Sequence, residues 1–208
     1  EIRKKIKKIK KKSKIFSQQP FITTIKKLNF NLTNDQNNTL KEINNDLSSK
    51  TKMFRLLQGD VGSGKTIVAL ISALNAIESG CQVALMAPTE ILAMQHYKLA
   101  KNLFSKKINL EILTSKTDYI KKKEIHREIS NKKINMIFGT HSLFQKKINF
   151  SNLGYIIIDE QHKFGVRQRK QLSDKGGNNC DVLLMSATPI PRTLIMSIYG
   201  DMDISIIK

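Results

Sequence analysis

One eight-residue run, Gly59-Asp60-Val61-Gly62-Ser63-Gly64-Lys65-Thr66, constrains the fold more than any other feature of the chain. It follows an apolar run over 54–58. It opens a stretch over 65–79 that Ile67, Val68, Leu70, Ile71, Leu74 and Ile77 make apolar on most sides, with Gly80 just past its end. Strand, glycine-rich turn of the pattern G-x-x-x-x-G-K-[ST] and buried helix form one unit. Glycines let successive N–H groups turn inward, and the helix N-terminus adds partial positive charge. Such a loop suits a phosphate: Lys65 would reach the β- and γ-phosphates and the Thr66 hydroxyl would bind Mg²⁺.

The flanking pattern agrees. Short apolar runs over 54–58, 82–87, 110–113, 134–139, 155–159 and 182–186 predict strands, and 65–79, 90–104 and 119–130 predict helices between them. Strands alternating with helices of ten to fifteen residues imply crossover units, hence an α/β fold with a mostly parallel sheet and helices on both faces. Leu40, Ile43 and Leu47 give 36–47 one apolar face and predict a short amphipathic helix. Ile2, Ile6, Ile9 and Ile15 recur near helical spacing among lysines, so residues 1–19 are expected to form a basic helix. The chain opens in mid-pattern without Met and reads as a piece of something longer.

The run Ile156-Ile157-Ile158-Asp159-Glu160 puts two carboxylates at the end of a strand, on the sheet edge where ligands of open α/β folds bind. Asp159 suits Mg²⁺, directly or through water, and Glu160 suits positioning and deprotonating an attacking water. Lys and Arg number 36 against 17 Asp and Glu, a formal net charge of +19. Nine of the bases fall within residues 1–14, beside Glu1. The remainder, 27 bases against 16 acids, still carries +11. A polyanion such as nucleic acid is the natural partner, although a Lys-, Ile- and Asn-rich coding bias would also produce such a charge. No run approaches the roughly 18 apolar residues of a membrane helix, so no membrane partner is expected. Cys81 and Cys180 sit in apolar segments, have no Cys or His partner at metal spacing and read as reduced core thiols of a cytoplasmic protein.

Further motifs narrow the class. Asp159-Glu160-Gln161-His162 forms a D-E-x-H box, and Ala87-Pro88-Thr89-Glu90-Ile91-Leu92-Ala93, Gly139-Thr140-His141 and Ser186-Ala187-Thr188-Pro189 follow strands in the order used by superfamily 2 helicases and translocases. Phe30-Asn31-Leu32-Thr33-Asn34-Asp35-Gln36 looks like their adenine-reading segment. With Lys163-Phe164-Gly165-Val166-Arg167-Gln168-Arg169 and Pro189-Ile190-Pro191-Arg192-Thr193-Leu194, residues 28–208 resemble the RecG family of bacterial DNA helicases. The translocase module of transcription-repair coupling factors is the nearest rival; Ser63 and Gln161 favour the former. Ser186 stands where Thr is commoner, but a hydroxyl is kept.

The resemblance implies a RecA-like P-loop NTPase lobe using ATP and Mg²⁺. It implies that Gln36 reads the adenine edge with Phe30 packed on the base, although Gln36 would equally suit a helix start. Thr89, Thr140 and His141 would lie toward the DNA backbone, although Thr89 would equally suit a helix N-cap. His162 would link the γ-phosphate side to Ser186 and Thr188, with a packed core histidine as the alternative. His96 and His126 are expected to be surface or packing residues. The implied division is a basic connector over 1–28 and an ATP-binding lobe over 29–208. The N-terminal wedge domain and second RecA-like lobe expected of the family are absent from the sequence. Branched or double-stranded DNA is the implied substrate. A nucleotide-gated nucleic-acid-binding module and an RNA helicase lobe are the competing readings.

Overall fold

The computed structural model describes residues 9–17, 24, 28, 30–144, 148–160, 177–188 and 202–208. Seven strands form one sheet: β1 (Phe54–Gly59), β2 (Gln82–Met86), β3 (Leu110–Leu113), β4 (Met136–Gly139), β5 (Leu153–Ile158), β6 (Asp181–Ser186) and β7 (Asp203–Ile207). Their order is β3-β4-β2-β5-β6-β1-β7, and every pairing is parallel. Among the described residues four α-helices accompany them: α1 (Asn34–Ser48), α2 (Lys65–Glu78), α3 (Glu90–Leu103) and α4 (Tyr119–Ser130).

Strand side chains alternate between faces, and here both faces are covered. Leu57, Leu85, Ile157 and Leu183 join Leu40, Val68, Leu70 and Leu103 in one core. Their neighbours Leu56, Ala84, Ile156 and Val182 join Ile125 and Ile129 of α4 in the other. This explains why the central strands read as unbroken apolar runs. Helix α2 is buried along most of its length, as its composition demands. The Tyr155 hydroxyl pairs with Ser72 Oγ at 2.9 Å, tying β5 to α2. Strand β7 is an addition to the expected elements. It lies at the edge beside β1, where only alternate residues need be apolar, and Ile206 is exposed while Ile207 is buried. Among the described residues no helix is long and apolar enough to cross a membrane.

Residues 9–17 correct the expected basic helix. They run without helix alongside the lobe, with a bridge pairing Lys10 with Thr51, and Lys52 N–H donates to the Ile9 carbonyl at 3.0 Å. Ile15 is 85% exposed and so does not supply the buried apolar position that the periodicity expected of it. The cause is a charge elsewhere. Asp181, fully buried at the start of β6, accepts from Lys11 Nζ and Lys14 Nζ, each at 2.6 Å on Oδ2, and from Met53 N–H at 2.7 Å on Oδ1. Two lysines that look like solvated charges are in fact the counter-ions of a core carboxylate, which cannot remain buried unpaired. Residues 1–8 lie outside the described set.

Candidate active site

The C-terminal ends of β1, β5 and β6 share one rim of the sheet, and the site is assembled there. Strand β1 ends at Gly59, and the following loop enters α2 through Gly64, whose φ of +87° lies in the left-handed region. Gly64 caps α2 without a side-chain hydrogen bond, so the first N–H groups of the helix keep no local side-chain acceptor. A side chain at Gly59 would meet the Ile207 carbonyl and Ser63 Oγ, and one at Gly64 would collide with the Gln36 amide. Ser63 Oγ is one of two buried side-chain polar atoms among the described residues that lack a hydrogen-bond partner; the other, Asn75 Oδ1, lies in α2 away from the loop. An uncapped helix end, a lysine and an unpartnered hydroxyl in one cradle fit a phosphate group.

Lys65 is buried, and its Nζ donates to the carbonyls of Gly59 at 2.6 Å and Asp60 at 2.7 Å. Burial lowers its pKa, while the charges of Asp159, Glu160 and Asp60 pull it back up. The acidic pair is therefore within electrostatic reach of the loop lysine. Asp159 sits just past β5. Its N–H donates to the Met86 carbonyl at 2.8 Å, and its Oδ1 accepts from Glu160 N–H at 3.0 Å. Glu160 has a φ of +49°, an uncommon conformation for a residue with a side chain. Such a backbone costs about 1–3 kcal/mol and clusters at functional sites. Thr66 is half-buried on the first turn of α2. Among the described residues no three His, Cys, Asp or Glu side chains form a metal cluster. A cation here would be of the kind that Mg²⁺ accepts: one or two carboxylates, with substrate phosphates and water completing the shell.

Gln36 is buried, and the structure gives it two partners. Its Oε1 accepts from Thr33 N–H at 3.0 Å, completing a capping box at the start of α1, and its Nε2 donates to the Ser63 carbonyl at 2.8 Å. It is thus both a helix-start residue and an anchor of the phosphate loop. Phe30, by contrast, is 51% exposed. Asp60, Val61 and Gly62 are exposed at the loop tip.

Farther along the same rim, Thr89 caps α3, its Oγ1 accepting from Leu92 N–H at 3.2 Å, and is exposed. Thr140 is buried just beyond β4, and His141, exposed, opens a 3₁₀ turn, His141–Phe144. The Ala87 N–H donates to the Gly139 carbonyl at 2.9 Å and holds these two segments together. Between the loop and the acids, Ser186 Oγ and Thr188 Oγ1 lie 3.1 Å apart, and Gln58 Nε2 donates to the Thr188 carbonyl at 3.2 Å. His162 and Gln161, with the runs 163–169 and 189–194, lie outside the described residues.

His96 is packed, one of the two placements expected of it, but its contact with the site is a feature sequence reasoning missed. It is 7% exposed, and its Nε2 lies 2.8 Å from Asp159 Oδ2. A signal was present: Ala93, His96, Ala100 and Leu103 recur on one face of α3, and all four are buried. His126 is half-buried on α4.

The DEAD/DEAH box helicase profile matches residues 33–196. The chain belongs to this family. Among curated DEAD/DEAH-type relatives it is 55% identical to the ATP-dependent DNA helicase RecG of Aquifex aeolicus over 185 residues, 88% of this chain and 23% of that protein. It is 49% identical to RecG of Bacillus subtilis over 193 residues, 92% of this chain and 28% of that protein. The solved structure of RecG bound to a three-way DNA junction superposes on all of this chain and 28% of its own, with a TM-score of 0.87 and 43% identity. The chain thus spans about a quarter of the length of the relatives it matches.

Proposed function

We propose that this chain is the ATP-binding lobe of an ATP-dependent motor that remodels branched double-stranded DNA, such as replication forks and Holliday junctions, in repair and recombination. One observation carries the reading: the phosphate loop with Lys65 and the acidic pair Asp159-Glu160 meet at a single rim of a parallel sheet. The 49–55% identity to RecG proteins supports the choice of DNA. Two free cysteines fit a cytoplasmic setting; Cys180 is buried as expected, whereas Cys81 is only half-buried and not the core thiol expected.

The Gly59–Thr66 segment would hold the triphosphate, with Ser63 Oγ finding there the partner it otherwise lacks. Lys65 would exchange its bonds to the Gly59 and Asp60 carbonyls for phosphate oxygens. Thr66 and Asp159 would hold Mg²⁺, which when bound neutralises charge on the β- and γ-phosphates. Glu160 orients a water and takes its proton. Gln36 presents an amide to the adenine edge while anchoring Ser63, and Phe30 offers an exposed ring to the base. Thr89, Thr140 and His141 face the DNA backbone, and Ser186, Thr188 and His162 pass the state of the phosphate site toward that face. Residues 29–208 are the ATP-binding lobe and 1–28 join it to a preceding domain. A second RecA-like lobe would complete the cleft, because arginines supplied across such clefts contribute roughly 10³–10⁵ in rate.

The test uses the full-length protein. Lys65→Ala should abolish nucleotide binding while preserving the thermal midpoint. Glu160→Gln should retain nucleotide but stop turnover. ATPase should be stimulated by branched DNA with little regard to base sequence and with a steep salt dependence. Unchanged ATP affinity in Lys65→Ala would overturn the site assignment. Nucleotide binding without DNA-stimulated turnover would favour a nucleotide-gated binding module.

A further inference from the structure

Helix α3 links Thr89, proposed above to face the DNA backbone, to Asp159 of the proposed phosphate site. Its N-cap, Thr89, is exposed at the rim. Seven residues later, about 10 Å along the axis, His96 Nε2 meets Asp159 Oδ2 at 2.8 Å. A carboxylate oxygen accepts, so the ring donates through Nε2–H. The other oxygen, Oδ1, accepts from Glu160 N–H. Both oxygens are thus pinned, and the plane of the carboxylate is set by one bond from its own backbone neighbour and one from α3. His96 and Asp159 are both largely buried, where a hydrogen bond to an ionised group is stronger and more directional than in water. The α3 end of the link is stiffened further: Glu90 Oε1 accepts from Ser115 N–H at 2.7 Å and from Ser115 Oγ at 2.5 Å, fastening the first turn of α3 to the loop after β3.

We infer that His96 is a positioning residue: through Nε2–H it orients the Asp159 carboxylate for the divalent cation and couples that carboxylate to the helix whose first turn faces nucleic acid. This rests on the reading of Asp159 as a cation-binding residue. Carboxylates that hold metals are themselves held by hydrogen bonds, and loss of such a partner typically weakens metal affinity 10–100-fold. His96 touches neither substrate nor cation; it acts through Asp159. Movement of α3 on a phosphate backbone would turn the carboxylate, and a cation bound at the carboxylate would in turn bias α3.

The experiment measures Mn²⁺ binding by electron paramagnetic resonance in full-length protein saturated with a non-hydrolysable ATP analogue. His96→Met, which keeps volume without a donor, should weaken Mn²⁺ binding at least tenfold. Affinity for the analogue in the absence of divalent cation should stay within about twofold, because Lys65 and the loop are untouched. His96→Gln, whose amide N–H reaches the Nε2 position, should recover affinity to within about threefold of the parent. If His96→Met does not fold, His96→Asn, too short to reach, takes its place. Parent-like Mn²⁺ affinity in the donor-less variant overturns the inference, and so does equal weakening in Gln and Met, which would leave only a packing role. Asp159→Asn separates the two readings: if it leaves Mn²⁺ binding unchanged, Asp159 does not hold the cation and both fall. If Asp159→Asn loses Mn²⁺ while the donor-less variant does not, only the role of His96 falls.

Discussion

Replacing Asp181 by Ala should be among the most damaging single changes available far from the nucleotide rim. The substitution removes one carboxylate and strands three groups: the ammoniums of Lys11 and Lys14 and the N–H of Met53. Breaking a buried ion pair costs about 3–5 kcal/mol, and an orphaned buried N–H about 1–3 kcal/mol. The sum is cushioned, because Lys11 keeps the carbonyls of Asp46 and Leu47 and Lys14 keeps that of Asn179. A net loss of about 4 kcal/mol is expected, which at about 2–4 °C per kcal/mol for a domain of this size lowers the melting temperature by about 8–16 °C. Asp181→Asn keeps an acceptor for Met53 and should cost less. The triple change Lys11→Met, Lys14→Met, Asp181→Leu should recover much of the loss, since apolar replacements of buried triads are often neutral or stabilising. The pH dependence has a definite sign. Burial lowers the Lys11 pKa below its ordinary value and Asp181 opposes the shift. Without Asp181 the folded-state pKa falls further, so across a wider window the unfolded chain holds a proton that the folded chain lacks. Stability then rises with pH through that window. The penalty of Asp181→Ala should therefore shrink as pH climbs toward the unfolded lysine value. Urea melts at several pH values measure all of this. A penalty below about 1 kcal/mol, or one that grows with pH, would refute the triad as the tie between residues 9–17 and the lobe.

Gln36→Ala should cost about 1 kcal/mol through the lost capping box and weaken nucleotide binding as well. Gln36→Glu, which keeps the bond to Thr33 N–H but not the donation to Ser63, should lose nucleotide affinity with less effect on the melting temperature; calorimetry and thermal melts separate the two. Burial pushes the Cys180 thiol up to about 12, whereas Cys81 is only half-buried, so alkylation near neutral pH followed by mass spectrometry should label Cys81 first and Cys180 only on unfolding. Glu90 is held below its ordinary pKa, first by the hydrogen bonds from Ser115. The tie it makes is complete above the ordinary carboxylate value and is lost as pH falls through its lowered one. Ser115→Ala should raise its midpoint in an NMR titration, and an unmoved midpoint would contradict the assigned cause.

The phosphate loop, six of the seven strands and the four described helices were legible in the chain because each is written locally: period-two or unbroken apolar runs, helical spacing, and glycines where a turn needs them. Even the near-miss at β5, which ends at Ile158 so that Asp159 stands just beyond it, left the acidic pair on the right rim. The features that escaped are pairings between segments far apart in sequence. Residues 9–17 look like a charged helix to any local rule; what pulls Lys11 inward is a carboxylate 170 positions away. His96 shows its buried face in the spacing of α3, but nothing in that spacing says that the face meets Asp159, 63 positions on. Gln36 carries a capping-box signature, while its second bond, to Ser63, exists only because α1 packs beside α2.

Local backbone and side-chain preferences, acting over a few residues, were enough to dictate an α/β lobe with an anion cradle and an acidic strand end. Which lysines are counter-ions, which histidine grips the carboxylate and which amide steadies the loop were settled only when the sheet closed. Desolvation punishes a buried charge or polar group until it finds a partner, and the fold alone decides which partner is within reach.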